Sequence, residues 1–423
     1  MKVKEEVLEK KKKGYKDLLN EKNFLFNSFA NIISRFGDGI DSIAFSLLVY
    51  KITGSTLLVA TLYAINGIPN LVFGMVSGVV CKYVADKKIM AICVFGRGAC
   101  VTLIAALFIT NNLEVWHLYV ISFLNSSFES FKGPAATSII PKILPIEKME
   151  HGTAFSSTGE KLAELMGLAI APFIIGVFGL GVAVAIDAFT FILCGLLILA
   201  IKIKDNTITN EKLTIKGYFV DLLEGFKYVK SRGAIINVVA FAAVLNALFV
   251  PINALQAPYV EGILKAGSSA MSIIGIAILL GIAVATSLAP KIKEKFKGRK
   301  MFIIGGFLVG IMYFSLSIIG YLPKSGMYIG LFIDCFITGI GVLMINFPLN
   351  ITLLKSVPQE YLPRVSAIIG AGALCASPIA ACITGVVSEF LRVDTIYFIL
   401  GIVVVILFLI QILNKNIKEF DNY

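Results

Sequence analysis

The chain has 423 residues, 57% apolar and only 15% charged, with a mean hydropathy of +0.86. Soluble domains carry about a quarter charged residues, so the composition excludes a soluble globular fold and points to a membrane. The excess of 11 positive charges does not mark a nucleic-acid surface, because the basic residues punctuate apolar runs and form no patch.

Residues 1–23 are densely charged and read as a cytoplasmic N-terminal arm. The apolar run behind them is too long for a signal-peptide core and has no small-residue cleavage site. Windows of about 20 apolar residues then recur at 24–50, 56–80, 89–110, 116–140, 151–178 and 180–203. After a polar stretch they resume at 234–257, 266–290, 301–321, 326–350, 365–388 and 394–414. An open sheet cannot sit in lipid, so these predict an all-α integral membrane protein with twelve transmembrane helices. The expected domains are a first six-helix half at 24–203, a cytoplasmic linker at 204–233, a second half at 234–414 and a tail at 415–423. In the linker, Phe219, Val220, Leu223 and Phe226 share one helical face, as in an amphipathic helix on the inner membrane surface.

All but eight of the 38 basic residues fall on one side of this topology. Lys51, Lys265, Lys324 and Arg392 lie in the opposite loops, and Arg35, Arg97, Lys132 and Lys161 lie inside spans. The positive-inside rule places both termini in the cytoplasm of a multi-pass protein of the cell membrane. The seven cysteines show no CxxC spacing and read as small packing residues, so no disulfide, metal site or cofactor is expected. The chain also repeats. Loop residues Pro145-Ile146-Glu147 return as Pro358-Gln359-Glu360, and Ala154/Ala367 and Gly159/Gly372 keep the same offset of 213 residues. The basic loop after Cys81 has its counterpart in Lys295–Lys300. Two such halves are how many secondary transporters place a site between them.

Several stretches in order resemble the major facilitator superfamily, more narrowly its drug-exporter branch of macrolide-efflux and enterobactin-exporter type. They are SRFGDGIDSIAFSLLVYKITGS in the first span, KGPAATSIIPKILPIEKMEHGTAF after the fourth, EGFKYVKSRG before the seventh and SVPQEYLPRVSAIIG, with Arg364, before the eleventh. The resemblance implies two pseudo-symmetric six-helix halves around a central cavity lined by spans one, four, seven and ten. In the family's loop between spans two and three, a Gly-x-x-x-Asp-Arg-x-Gly-Arg-Arg pattern latches one conformer. Here Gly78 fits and Lys87 and Lys88 keep the positive end, but Lys82 and Tyr83 replace the Asp and Arg. The proton-coupling Arg of some members' fourth span is absent. Gly167, Pro172 and Gly176 resemble the antiporter motif of span five, with Ala171 in place of a glycine, and their other reading is small-residue helix packing.

Charges at membrane depth are costly and mark function by default. Arg35, Asp38 and Asp41 follow at steps of three in span one and share a face, so Arg35 and Asp38 can pair. Glu129 in span four and Asn246 in span seven fall at comparable depth, and Asn346 adds a polar group in span ten. We expect Asp38 or Glu129 to exchange a proton, because burial and a nearby cation pull a carboxyl in opposite directions. Alternatives stand beside each: Arg35–Asp38 as a static pair, Glu129 neutralised by Lys132, Asp41 merely solvated. Glu164 with Lys161, and Arg97, read as structural; Asp187 and Asp334 lack an obvious partner in sequence. The expected function is proton-coupled export of small amphipathic molecules, drug-like or siderophore-like, by a monomer. The alternative is an ion-coupled importer or narrow metabolite transporter driven by H⁺ or Na⁺. No phosphate-binding loop or catalytic domain suggests an enzyme.

Overall fold

A computed structural model of the chain describes residues 17–203, 233–357, 362–414, 417, 420 and 421. The expected linker helix, most of the N-terminal arm and Pro358–Glu360 lie outside the described residues. Twelve helices of at least 21 residues run through them. In the first half they are α1 (Lys22–Thr53), α2 (Thr56–Tyr83), α3 (Asp86–Ile109), α4 (Val115–Ser138), α5 (Met149–Phe178) and α6 (Leu180–Ala200). Then come α7 (Gly233–Pro258), α8 (Gly267–Lys295), α9 (Gly298–Ile319), α10 (Lys324–Ser356), α11 (Leu362–Phe390) and α12 (Val393–Leu413).

Nine of these are long and apolar enough to cross a membrane by length and composition alone. The other three are α1, α4 and α11. Helix α1 carries Arg35, Asp38, Asp41 and Lys51, and α4 carries Glu129 and Lys132. Large apolar side chains stand exposed at helical spacing, for instance Phe189, Ile192, Leu196 and Leu199 on α6. A soluble monomer rarely shows such stripes, whereas lipid solvates them. The short turn between α1 and α2 is built by Thr53-Gly54-Ser55. Thr53 donates to the Val49 carbonyl at 2.7 Å and accepts from the Ser55 amide at 3.1 Å, while Gly54 takes φ +66°.

The described residues form two compact units. The first holds those up to Phe45 and from Ile68 to 203; the second holds Ser46–Gly67 and those from 233 onward. In the first unit α3 packs on α4 and α6, and α5 on α6. Helix α2 meets α4 where Ser130 donates to Asn70 at 2.8 Å and Phe73 packs on Phe123 and Phe131. Helix α1 meets α5 with Gly39 against Gly167 and the Glu164 carbonyl. In the second unit α9 packs on α10 and α12, α8 on α10, and α7 on α11. The second unit also takes in the start of α2, because Leu57, Ala60 and Gly67 pack on Gly385 and Pro378 of α11.

Each pairing of the first unit thus returns six helices later: α3·α4 as α9·α10, α3·α6 as α9·α12, α5·α6 as α11·α12, α2·α4 as α8·α10, and α1·α5 as α7·α11. Gly159 and Gly372, 213 residues apart, sit in equivalent seams, facing Ile32 of α1 and Ala243 of α7. Small residues recur in the tight seams because helix association in lipid rests on close van der Waals contact. A Cβ at Gly39 would stand 2.5 Å from the Glu164 carbonyl oxygen and 2.7 Å from the Leu168 nitrogen. Gly39→Ala is therefore expected to cost about 1–3 kcal/mol, lowering the thermal midpoint of the purified protein. Gly74→Ala, with nothing within 4 Å of its Cβ, is expected to leave the midpoint unchanged or raise it.

Candidate functional site

The i, i+3 spacing in α1 lays Arg35 beside Asp38, and the two pair at 3.0 Å. On α4, Asn125 and Glu129 are one turn apart and face the same way. Between these helices lies Arg97 of α3, its side chain only 5% exposed. All three of its nitrogens are engaged: Nε donates to Asn125 at 2.6 Å, Nη1 to Glu129 at 2.6 Å, and Nη2 to Asp38. Arg35 closes the ring by reaching the other Glu129 oxygen at 2.7 Å. The Asn125 amide passes the network on, donating to Asp41 at 3.0 Å.

Arginine suits this centre because its planar fork presents donors in fixed directions, which a lysine ammonium does not. The ring of Phe191 on α6 covers the guanidinium of Arg97 at 4.4 Å, a cation–π contact. Lys132, 2% exposed, donates to Ser34 of α1 at 2.8 Å and stands 3.9 Å from Glu129. Asp187 of α6 is 1% exposed. The Thr190 hydroxyl lies 3.4 Å from its Oδ1, and its Oδ2 has no hydrogen-bond partner among the described residues. The Oδ1 of Asp41 is equally unpartnered.

Beside the network opens a cavity of about 460 Å³, where the first half of α1 meets the end of α4 and the start of α5. Its lining includes Asn27, Asn31, Arg35, Glu129, Lys132 and Glu160. Pockets of 300–1,000 Å³ hold small ligands. Among the described residues the buried amide of Asn27 has no hydrogen-bond partner for either atom.

The residues singled out in the sequence separate into groups. Arg35, Asp38, Asp41 and Glu129 come together. Asn246 and Asn346 belong to the second unit, stand exposed, and donate to carbonyls one turn back, at Ala242 and Val342. Gly167 packs on the Phe36 carbonyl and Gly39, Pro172 is buried inside α5, and Gly176 is exposed. Gly78 and Lys82 lie in α2 and Arg364 in α11; the side chains of Lys82 and Arg364 are outside the described residues. Lys87 donates to the Ile201 carbonyl past the end of α6 at 2.7 Å, and Lys88 is exposed. Neither Asn125 nor the buried Asp86 stands out in the sequence as a site residue. Asp86 pairs with Lys142 at 2.7 Å and accepts from Ser138 at 3.1 Å, tying the start of α3 to the end of α4. The one-turn spacing of Asn125 and Glu129 was the available signal. Lys161 and Glu164 pair with each other at exposed positions, 3.0 Å apart.

Removing Arg97 leaves Asp38 and Glu129 buried with fewer counter-charges. Arg97→Met is expected to cost about 3–5 kcal/mol, read as a lower thermal midpoint, and Arg97→Lys to restore only a fraction of it. Lys161→Met, which breaks an exposed pair, is expected to cost at most about 1 kcal/mol.

Residues 28–370 match the Major Facilitator Superfamily. Macrolide efflux protein A of Streptococcus pyogenes is 21% identical over 372 residues, covering 87% of this chain and 90% of the relative. The multidrug efflux pump Tap of Mycolicibacterium fortuitum is 19% identical, covering 93% and 96%. Among solved structures, the nucleoside transporter NupG superposes with a TM-score of 0.68 at 13% identity, covering 93% of this chain and 100% of that one. A D-xylose–proton symporter gives 0.67 at 14%, covering 92% and 96%; at such identities the two share a fold with this chain. The fold and the matched residues agree: the chain is a multi-pass membrane transporter and belongs to the Major Facilitator Superfamily.

Proposed function

We infer that this transporter exports small amphipathic molecules across the cell membrane in exchange for protons, working as a monomer with both termini in the cytoplasm. The observation that carries the reading is the ionic network itself, which joins α1, α3 and α4 beside a polar cavity in one unit. The efflux relatives support the substrate class and direction. The sequence carries no nucleotide-binding motif, so uphill transport draws on an ion gradient.

Arg97 is the buried anchor, and Arg35, whose side chain is 35% exposed, is the member a substrate meets from the cavity. Asp38 and Glu129 are the ties between the arginines. A bound proton or a bound substrate shifts which tie each guanidinium keeps. Exchange requires that proton and substrate favour different conformers, since a ligand moves an equilibrium only by its differential affinity. Asn31, on the same wall, supplies hydrogen bonds to polar groups of an otherwise apolar cargo.

The test uses inverted vesicles with an acidified lumen and a quenched pH dye, challenged with macrolides, cationic dyes and siderophore-like compounds. We expect at least one compound to release the quench in wild type, and Asp38→Asn or Glu129→Gln to abolish the release at normal protein levels. A compound that accumulates under a sodium gradient, with no proton movement, would overturn the antiport reading.

A further inference from the structure

We propose that the coupling proton binds at Asp187 of α6, in the contact that α6 makes with α1, while Asp38 and Glu129 remain charged ligands of the arginines. The inference deepens the antiport reading and rests on it for its transport consequence.

Charge accounting around the network leads there. Arg35, Arg97 and Lys132 supply three cations; Asp38 and Glu129 pair with them directly, Asp41 is joined to them through Asn125, and Glu160 faces Arg35 and Lys132 beside the cavity. Asp38 and Glu129 each receive both guanidinium groups. Asp187 is a further carboxyl, and among the described residues no cation pairs with it. Every nitrogen of Arg97 is already directed elsewhere, to Asn125, Glu129 and Asp38.

The surroundings of Asp187 are set by three neighbouring helices. From α1 the like charges Asp38 and Asp41 act on it, and from α3 the cation of Arg97. On its own helix Thr190 is the polar neighbour, one turn before Cys194. Helix α5 also packs on α6, and its Lys161 and Glu164 pair with each other. A carboxylate that is 1% exposed, with one oxygen unpartnered and two like charges nearby, is costly to keep ionised. A proton removes that cost. The only bond formed is O–H on Asp187, and the proton comes from and returns to water.

Position makes this protonation consequential. A Cβ built on Gly37 of α1 would overlap both Asp187 Oδ1 and the Thr190 hydroxyl, so the carboxyl lies directly against the α1 backbone. Gly37 adjoins Asp38 and lies one turn before Asp41. Phe191, one turn along α6 from Asp187, covers Arg97. The charge state of Asp187 therefore acts on the α1–α6 seam and on the ring that covers the anchor of the network. The second unit has its own buried acid, Asp334, with one unpartnered oxygen. It neighbours Tyr259, Ser315 and Cys335, and it serves as the control.

The first readout is infrared difference spectroscopy of purified protein at neutral pH, which reports protonated carboxyl groups. Asp187→Asn is expected to remove one protonated-carboxyl band that Asp38→Asn and Glu129→Gln retain. A spectrum that Asp187→Asn leaves unchanged overturns the assignment. If that variant fails to accumulate, Asp187→Glu keeps an acid there and should move the band; an unmoved band overturns the assignment equally. The second readout is transport in the inverted vesicles. Asp187→Asn should keep substrate counterflow yet lose substrate-driven proton release, whereas Asp334→Asn should keep both. Proton release of wild-type size from Asp187→Asn overturns the proposal. Failure of the wild type to move any compound defeats the antiport reading, and the infrared assignment is then judged on its own result.

Discussion

The first unit is organised by the need to bury one guanidinium group. An isolated charge in a low-dielectric interior costs many kcal/mol, and the cost is met only when every donor finds an oxygen in good geometry. Arg97 meets that demand with three helices at once, taking Asp38 from α1, Asn125 and Glu129 from α4, and the face of Phe191 from α6. Each contact constrains the rotation and depth of a helix that would otherwise slide against its neighbour. The network is therefore a positioning device as well as a charge reservoir, and no member of it can move without disturbing another.

Around that centre the helices approach through glycine. Lipid offers apolar surface as readily as protein does, so close backbone contact takes the place of hydrophobic segregation as the packing force. The pairs Gly39/Gly167 and Gly281/Gly339 make that contact in the first and second units. Architecture is thus repeated while chemistry is not. The ionic network belongs to the first unit, whereas Asn246, Asn346 and Asn350 in the second bond to carbonyls of their own helices.

The loop after α2 shows how a departure from a family pattern is absorbed. With Lys82 and Tyr83 in place of the usual acid and arginine, the charges that follow engage partners inside the first unit. Asp86 holds Lys142 and Ser138, and Lys87 caps the carbonyl of Ile201 beyond α6. These contacts fasten the start of α3 to its neighbours, and the helix that carries Arg97 is held at its base.

The sequence by itself determined the class: apolar windows of membrane length and a 213-residue repeat are properties of the linear chain, and helices are local structures. It also determined the pairing of Arg35 with Asp38, because three residues on a helix put side chains within reach. Only the tertiary structure decided the rest. Arg97 lies 59 residues from Asp38 and 32 from Glu129, so nothing local links them, and the sequence reading left it as a supporting residue. Asn125 carried no charge to draw notice, and the one-turn spacing to Glu129 gains meaning only when α3 lies across it. Asp187 looked like any isolated acid until its neighbours were known. Whether a buried carboxyl is neutralised, ionised or shared depends on which charges converge on it in three dimensions, and that convergence is a property of helix packing.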